Sequence, residues 1–295
     1  LGANPLVSNG SMMTAADFPG RLRELRRRKG RVVVVDPVRT RTAAAGDEHL
    51  PIRPGTDALW LASLAHLVTQ HTRLAAAEPW IDSAQWDQVT SGLADFSPEA
   101  TAVFTGIDAA VTRRIAQELL DAPSAAVYGR MGTTTSGLTN DGEVTPMATL
   151  ASWLIDIINI AIGSLDRPGG VMFALPVAGG PSTEGTPGTG HGVQIPGRRR
   201  TRVRELPSAL GEFPASALAE EIDTPDPTTG EHIRAVFVIG GNPIVSTPNQ
   251  HRLTAAFGQL DLLVSVDPYI TATSQLADVI LPVASPLTRP QHDVV

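Results

Sequence analysis

The sequence predicts an α/β protein made of two related Rossmann-like units, each built around a parallel sheet. Apolar runs of strand length alternate with runs of helical periodicity along the 295 residues, which is typical of parallel sheets covered by helices on both faces. The stretch Gly-x-Asn-Pro-x-Val-Ser occurs twice, at residues 2–8 and 240–246, and each copy is followed by a helical run and a strand that ends in Asp-Pro. Together these observations indicate a duplicated unit.

The part of the repeat around Asp-Pro matches without a gap. Residues 36–51 align with residues 267–282, and the identical pairs are Asp36 and Asp267, Pro37 and Pro268, Thr40 and Thr271, Thr42 and Thr273, Asp47 and Asp278, Leu50 and Leu281, and Pro51 and Pro282. The stretch between Asn-Pro and Asp-Pro is longer in the first copy, so we expect a connecting helix of variable length between two fixed ends. Asp47 and Asp278 each precede a Leu-Pro strand, and we expect them to cap a turn.

Helices and strands alternate in the first unit. Helices are expected over residues 17–30, 56–70, 106–122 and 145–163, and strands over residues 31–37 and 124–132. Gly30 and Gly163 are suited to end two of the helices, and Thr56 or Asp57 to begin another. The strand over 31–37 is continuously apolar, which indicates burial on both faces.

The texture changes after the first unit. Residues 174–232 are rich in Gly, Pro, Ser and Thr, and this stretch is too long for a routine connection, so we expect a functional loop or a linker. We expect its arginines at 198–204 to be solvated, with a phosphate contact as the alternative. The predicted organisation is a first unit over 1–173, a connecting segment over 174–232 and a second unit over 233–295. Both units look truncated, so we expect a fragment of a larger multidomain enzyme.

Composition excludes several classes of protein. With 42% hydrophobic and 18% charged residues the chain is typical of globular proteins, and a net charge of −7 argues against nucleic acid as a partner. The absence of cysteine excludes disulfides, cysteine-ligated zinc and iron–sulfur clusters within this chain. The longest apolar run, residues 148–163, is too short to span a membrane and is interrupted by Asp156 and Asn159, so we expect a buried helix.

The chemistry of the repeat favours nucleotide binding. Loops at the carboxyl ends of neighbouring parallel strands line one crevice, and a glycine there lets backbone N–H groups approach a diphosphate beside a helix N-terminus. An acid at the end of the next strand is placed to accept hydrogen bonds from a ribose or a base. Neither copy is the nicotinamide fingerprint Gly-x-Gly-x-x-Gly. One copy alone would favour a simple turn, whereas two copies with matched sequels favour a pair of nucleotide sites.

Several motifs occur in one order along nearly the whole chain: GANP, VVVDPxxTxTA, IRPGTDALWLASLAH, YGRMGTT, LDRPGG, VFVIGGNP and VSVDPYITATSQLADVILP. This order resembles the molybdopterin oxidoreductases of the dimethyl sulfoxide reductase type, the group that contains formate dehydrogenases and periplasmic nitrate reductases. The resemblance implies a molybdenum or tungsten ion held by two molybdopterin guanine dinucleotides, with each unit contributing mainly to one of them. A duplicated motif would then serve a duplicated cofactor.

The resemblance also implies roles for particular residues. The diphosphate loops would be formed by Gly2, Asn4 and Pro5 and by Gly240, Gly241, Asn242 and Pro243. At the nucleotide ends it places Asp36, Arg39, Gly55 and Asp57 in the first unit and Asp267 and Thr271 in the second, with Asp57 holding guanine. The loop with Gly129, Met131 and Thr133 would lie near the pterin and the metal.

Two features of the family that concern the metal are not found in this sequence. Family members carry the metal-ligating side chain (Cys, selenocysteine, Ser or Asp) upstream of the first GANP, and usually an iron–sulfur domain before it. We therefore expect no metal ligand within this chain, a 4Fe-4S cluster only in an N-terminal part outside it, and no turnover by this segment alone. The catalytic residue is unknown from this sequence.

The resemblance implies two-electron or oxygen-atom transfer with a small-molecule redox substrate and an electron-transfer subunit as partner. We expect a cytoplasmic protein, with the periplasm as the alternative. The competing interpretation is a non-catalytic relative, such as the large iron–sulfur subunit of NADH dehydrogenase, which keeps the fold as a scaffold. Degenerate nucleotide loops would favour the scaffold, and because both copies are intact we favour the oxidoreductase.

Overall fold

A computed structural model describes residues 1–10, 17–72, 80–135, 137–140, 143–172, 199–208 and 212–288. The chain divides into two compact units, Leu1–Ala174 and Leu175–Val295. Both units mix helices with small parallel sheets, so the predicted α/β class is confirmed. Residues 173–198, which include much of the predicted connecting segment, lie outside the described residues. The later part of that segment belongs to the second unit.

The first unit is mostly helical. Its helices are α1 Phe18–Arg27, α2 Arg41–Ala45, α3 Asp57–Thr69, α4 Ser83–Gly92, α5 Pro98–Thr105, α6 Ala109–Asp121, α7 Met131–Thr134 and α8 Ala148–Ala161. Its strands are β1 Val33–Val35, β2 Glu48–Leu50, β3 Gly137–Asn140 and β4 Glu143–Pro146. Strands β1 and β2 pair in parallel with Val35 opposite Leu50, and β3 and β4 form an antiparallel hairpin that we had not predicted.

The core of the first unit lies between α3 and α8, both of which were predicted. Leu61 and Leu64 of α3 and Leu154 and Ile158 of α8 are fully buried in one hydrophobic cluster. Complete burial of such side chains stabilises the fold by about 1.5–3 kcal/mol each. The apolar run over 148–163 is therefore a core helix, and within the described residues no helix is long and apolar enough to cross a membrane.

The strand predicted over 124–132 is wrong. Residues 124–130 form neither helix nor strand, and Met131 and Gly132 belong to α7. The hydrogen bonds of Val127 and Arg130 go to a side chain and to the chain start instead of to a neighbouring strand. Asn159, fully buried in α8, accepts from Val127 N through Oδ1 at 3.0 Å and donates to Val127 O through Nδ2 at 2.8 Å. Arg130 N donates to Leu1 O at 3.1 Å. The amide of Asn159 therefore replaces a strand partner, which no local sequence pattern reveals.

The second unit carries a three-stranded parallel sheet in the order β5-β6-β7. Its elements are β5 Ala235–Ile239, β6 Leu262–Val266, β7 Val279–Leu281, and the helices α9 Leu218–Asp223, α10 Pro243–Ser246 and α11 Gln250–Phe257. Leu253 and Phe257 of α11 pack with Ile222 and Leu263 in its core. Phe237 and Ile239 of β5 are 62% and 75% exposed, so the expectation of a sheet covered on both faces is not met in this part of the chain.

Two arginines after residue 198, Arg202 and Arg204, have side-chain partners within the second unit. Arg202 donates through its guanidinium to the carbonyl oxygens of Pro225, at 2.8 Å, and Glu221, at 2.9 Å, and thereby satisfies carbonyls at the C-terminal end of α9. Arg204 pairs with Glu220 of the same helix. Both guanidinium groups thus have partners on or beside α9 within the protein.

Candidate functional site

The first Asn-Pro loop begins at Gly2, whose backbone crosses another chain segment at close range. Gly2 N donates to Val35 O at the end of β1 at 3.3 Å, and Gly132 N donates to Gly2 O at 3.0 Å. Gly2 has φ +54°, and a Cβ on it would lie 2.3 Å from Thr133 N. Only glycine satisfies both constraints. Residues 2 and 132–133 therefore form one interlocked pair of loops beside the end of β1.

Asn4 is held by a threonine from the helix that follows Asp-Pro. Its Oδ1 accepts from both Thr42 Oγ1, at 2.8 Å, and Thr42 N, at 3.3 Å. The hydroxyl of Thr42 in turn accepts from Leu6 N at 3.2 Å. The loop residues on either side of Pro5 are thus tied to one residue of α2, and this tie fixes the loop relative to the strand end that carries Asp36.

Two carboxyl groups lie at the same end of the first unit. Asp57, the first residue of α3, is only 4% exposed, and its Oδ1 lies 3.5 Å from Thr133 Oγ1. Burial raises the pKa of the Asp57 carboxyl above its ordinary value, and the negative charge of Asp36 contributes in the same direction. Asp36 uses its Oδ1 to accept from Val38 N at 2.9 Å, which shapes the turn after β1. This end of the unit therefore carries two acids, and burial favours the neutral form of one of them.

The remaining predicted residues of this unit lie on the loops around these acids. Gly55 has φ +85°, and a Cβ on it would lie 2.4 Å from Gly137 O, so the loop before Asp57 is packed against the β3–β4 hairpin. A Cβ on Gly129 would lie 2.3 Å from Ile155 Cδ1 of α8. Met131 and Arg39 are exposed. The structure thus brings the loops of Gly2, Gly55 and Gly129 to one end of the unit.

The second unit repeats the contacts of the first Asn-Pro loop. Asn242 Oδ1 accepts from Thr273 Oγ1 at 2.8 Å and from Thr273 N at 3.2 Å, and Thr273 Oγ1 accepts from Ile244 N at 3.2 Å. Gly240 has φ +61° and donates to Val266 O at 2.9 Å, as Gly2 does to Val35 O. The predicted duplication is therefore confirmed at the level of individual hydrogen bonds.

The matched aspartates also occupy equivalent places. Asp36 N donates to Leu50 O and Asp267 N to Leu281 O, in both cases at 3.2 Å, so both acids follow equivalent strands. Asp267 is 8% exposed, and its Oδ1 accepts from Tyr269 N at 2.8 Å. Thr271 exchanges hydrogen bonds with Ser274. Its hydroxyl therefore orders the turn after Asp267.

Asp47 and Asp278 have a structural role in the two sheets. Asp47 Oδ2 accepts from Val32 N and Asp278 Oδ2 from Leu263 N, both at 2.8 Å, and each aspartate's backbone N–H bonds back to the same residue. These carboxylates pin the start of one strand to the start of its neighbour. The expectation that they cap a turn is refined by this contact, because their partners lie on the neighbouring strand.

The two loops differ in what surrounds them. Apart from its chain neighbours, no described residue places an atom within 4 Å of the position that a Cβ on Gly240 would take, whereas the same position at Gly2 is filled by Gly132 and Thr133. The loop at Gly240 leads into α10, a single turn, and the longer helix α11 begins only at Gln250. The expected dipole of a long helix at this loop is therefore not present.

Sequence reasoning missed Thr42 and Thr273 as members of the site. Both were visible as an identical pair in the Thr-x-Thr repeat, but only Thr271, the first threonine of its pair, was assigned a role. The identity of Thr42 and Thr273 in the alignment of the two copies could have indicated a shared role. What was absent from the sequence was the direction of the side chain, which points each second threonine at the Asn-Pro loop.

The family model described as molybdopterin oxidoreductase matches residues 1–287. The chain belongs to the molybdopterin oxidoreductase family. Formate dehydrogenase H of Escherichia coli is 25% identical over 88% of this chain and 36% of its own length. The menaquinone reductase molybdopterin-binding-like subunit of Nitratidesulfovibrio vulgaris is 28% identical over 87% of this chain and 32% of its own length. The chain thus spans about a third of the length of these curated relatives.

A solved structure shares the fold of this molybdopterin oxidoreductase chain. Acetylene hydratase from Pelobacter acetylenicus superposes with a TM-score of 0.72 at 21% sequence identity, covering 93% of this chain and 40% of that one. At this identity the likeness supports the fold alone. The predicted family and the predicted α/β fold class are therefore confirmed.

Proposed function

We propose that this chain is the central part of a molybdenum- or tungsten-dependent oxidoreductase and that each of its two units binds one molybdopterin guanine dinucleotide. The observation that carries the proposal is the duplicated constellation of glycine, Asn–Thr pair and strand-end aspartate, since a duplicated binding element fits a duplicated ligand. Family membership and the formate dehydrogenase relative support the class of reaction.

The residues present fit such a group. Asp57 and Asp267 are both buried acids. Among the described residues the carboxyl of Asp57 has a hydroxyl at 3.5 Å and its own backbone N–H as partners, and the carboxylate of Asp267 accepts from one backbone N–H. Guanine presents two adjacent donors, its ring N–H and its exocyclic amine, to which a carboxylate offers two acceptors. The Asn-Pro loops would hold the diphosphates, and the loop of Gly129, Met131 and Thr133 would lie near the pterin.

The cofactor supplies the redox chemistry when it is bound, and this chain supplies binding and orientation. Its own residues would hold the two nucleotide ends and keep the loops rigid around them. We propose a small-molecule redox substrate handled by two-electron or oxygen-atom transfer, as in formate dehydrogenases and nitrate reductases, and an electron-transfer subunit as partner. We place the protein in the cytoplasm. A metal-ligating side chain and a 4Fe-4S cluster would come from other parts of the longer polypeptide; within the described residues no cluster of three or more histidines or acids could hold a metal.

The test is a cofactor analysis of the full-length protein. Molybdenum and tungsten are measured by mass spectrometry, and guanine nucleotide is measured after acid release from the same sample. We expect two guanine nucleotides for each metal ion, together with dye reduction that depends on a small redox substrate. Metal and guanine at the level of an unrelated control protein would refute the proposal. Guanine without metal would favour the non-catalytic scaffold.

A further inference from the structure

The orientation of both loop asparagines is fixed by the hydrogen bonds around them. The backbone N–H of Thr42 can only donate, so the atom of Asn4 that faces it at 3.3 Å must be the carbonyl oxygen Oδ1. Thr273 N imposes the same orientation on Asn242 at 3.2 Å. An amide held in this way cannot flip without placing its NH₂ group against a backbone donor.

Each threonine hydroxyl uses both of its hydrogen-bonding roles. Thr42 Oγ1 donates to Asn4 Oδ1 at 2.8 Å and accepts from Leu6 N at 3.2 Å, which closes a ring of contacts across Pro5. Thr273 Oγ1 closes the same ring across Pro243. Valine, which has the same shape but no hydroxyl, would open both sides of the ring.

The consequence of this orientation is an available donor on each unit. With Oδ1 occupied, the Nδ2 groups of Asn4 and Asn242 carry two hydrogens each, and among the described residues neither has a hydrogen-bond partner. Both side chains are half-buried, so the donors are neither freely solvated nor satisfied by the protein. A partly buried donor without a partner favours an acceptor on a ligand.

We propose that Thr42 and Thr273 are positioning residues that aim the side-chain NH₂ groups of Asn4 and Asn242 at acceptor oxygens of the two dinucleotides. This inference rests on the proposed function and adds residues to the site that the motif did not assign. The contact recurs although the Asn and Thr lie farther apart in sequence in the first unit, so shared spacing does not explain it. The common factor is the three-dimensional position of the pair beside the strand-end aspartate.

The experiment compares Thr42→Val, Thr42→Ser and the control Thr112→Val in the full-length protein, with Thr273→Val and Thr273→Ser as the equivalent pair. Thr112 is buried, and its hydroxyl accepts from Trp60 Nε1 at 3.1 Å, so its loss destabilises the core without touching the loops. Guanine nucleotide retained after dialysis is measured for each variant. Thermal unfolding is measured on the same variants produced without cofactor.

We expect Thr42→Val and Thr273→Val to lower dinucleotide affinity about tenfold. We expect the serine variants to retain wild-type affinity, because serine keeps the hydroxyl. Thr112→Val should lower the unfolding midpoint while its guanine content is preserved. The inference is overturned if the valine variants retain guanine like the wild type, or if serine fails to restore it. A guanine loss that follows the unfolding midpoint equally in Thr112→Val would also overturn it.

A further variant covers the case in which the valine proteins do not fold. Asn4→Asp keeps an oxygen for Thr42 but replaces the NH₂ donor by an acceptor, so the apoprotein should unfold at the wild-type midpoint while guanine is lost from the first unit. Full guanine retention by Asn4→Asp would overturn the inference. Absence of guanine from the wild-type protein would instead count against the proposed function itself, which distinguishes the two failures.

Discussion

At the scale of single residues, Gly2 and Gly240 are equivalent in the sequence repeat but differ in the atoms that surround them. Gly2 and Gly240 occupy the same place in the repeat, with φ +54° and +61°. A Cβ at the two positions would nevertheless have different surroundings, because the turn of residues 132–133 covers Gly2, whereas in the described part of the chain only sequence neighbours lie within 4 Å at Gly240. Substitutions at these two positions can therefore distinguish the free-energy cost of a left-handed backbone from the cost of a steric clash at the added Cβ.

We expect Gly2→Ala to destabilise the protein more than Gly240→Ala. Gly240→Ala meets only the left-handed backbone, which costs about 1–2 kcal/mol. Gly2→Ala meets the same cost and also places a Cβ 2.3 Å from Thr133 N. Denaturant unfolding of the two variants measures the difference. Equal losses of unfolding free energy would show that the turn of residues 132–133 moves freely away from Gly2.

Because Asp57 is buried, the free energy of unfolding is expected to depend on pH. Burial raises the pKa of this carboxyl in the folded protein above its ordinary value of 3.8. At pH values between the unfolded and the folded pKa, the folded protein binds more protons at this site than the unfolded chain does. The free energy of unfolding therefore falls as the pH rises through this range. An amide at this position avoids this cost.

We therefore expect Asp57→Asn to raise the unfolding midpoint of the cofactor-free protein at pH 7. The gain should shrink as the pH falls towards 4, because an increasing fraction of the wild-type carboxyl is then protonated and neutral as well. The same substitution should lower guanine retention, since it replaces an acceptor by a donor. Thermal unfolding between pH 4 and pH 8 checks the first outcome, and a gain that is independent of pH would contradict it.

At the scale of elements, α8 stabilises a neighbouring segment that has no strand partner. The amide of Asn159 satisfies both backbone groups of Val127 and is completely buried in doing so. A largely apolar helix thereby uses one fully buried polar residue for a specific structural contact. The loop of Gly129 and Met131 follows directly along the chain, so the contact anchors the segment that leads into the candidate site.

We expect Asn159→Ala to destabilise the first unit by about 2–4 kcal/mol, because it leaves a buried N–H and a buried C=O without partners at about 1–3 kcal/mol each. Gln117→Ala is the matched control, since Gln117 is an exposed amide on α6 that bonds Asp121. Its loss should change stability by less than about 0.5 kcal/mol. Urea unfolding of both variants tests this, and similar losses would mean that Val127 finds other partners.

At the scale of the whole molecule, the chain is a duplicated element whose two copies have kept the same hydrogen bonds. Parallel register, strand-end aspartate and Asn–Thr pair recur in both units. The acids of the repeat nevertheless divide into two groups. The carboxylates of Asp47 and Asp278 join neighbouring strands, whereas the buried carboxylate of Asp267 accepts from one backbone N–H among the described residues.

We expect this division to appear in cofactor retention by the full-length protein. Asp267→Asn should lower guanine retention about ten- to a hundredfold, because charge-assisted bonds to the base are worth about 1.5–3 kcal/mol each. Asp278→Asn should lower unfolding stability instead, and its guanine content per folded molecule should match the wild type. The opposite pattern, with guanine lost from Asp278→Asn and kept by Asp267→Asn, would show that the nucleotide acid was assigned to the wrong member of the repeat.

Local patterns determined much of this protein without any coordinates. The alternation of apolar runs predicted α3, α8 and the strands β1, β6 and β7, because apolar periodicity follows directly from burial. The gapless match from Asp36 to Pro51 predicted the duplication and hence the equivalent positions of the two Asn-Pro loops. Apolar periodicity and identity between the two copies can both be read from the order of residues alone, so these features needed no coordinates.

Only the tertiary structure decided which side chains complete the candidate site and which make contacts that stabilise the fold. Thr42 and Thr273 reach the Asn-Pro loops, Arg202 turns to the end of α9, and Asn159 replaces a strand beside Val127. Each of these contacts joins residues that are distant in sequence, and its formation depends on how helices and strands pack. Side-chain direction is set by that packing, and a one-dimensional pattern does not contain it.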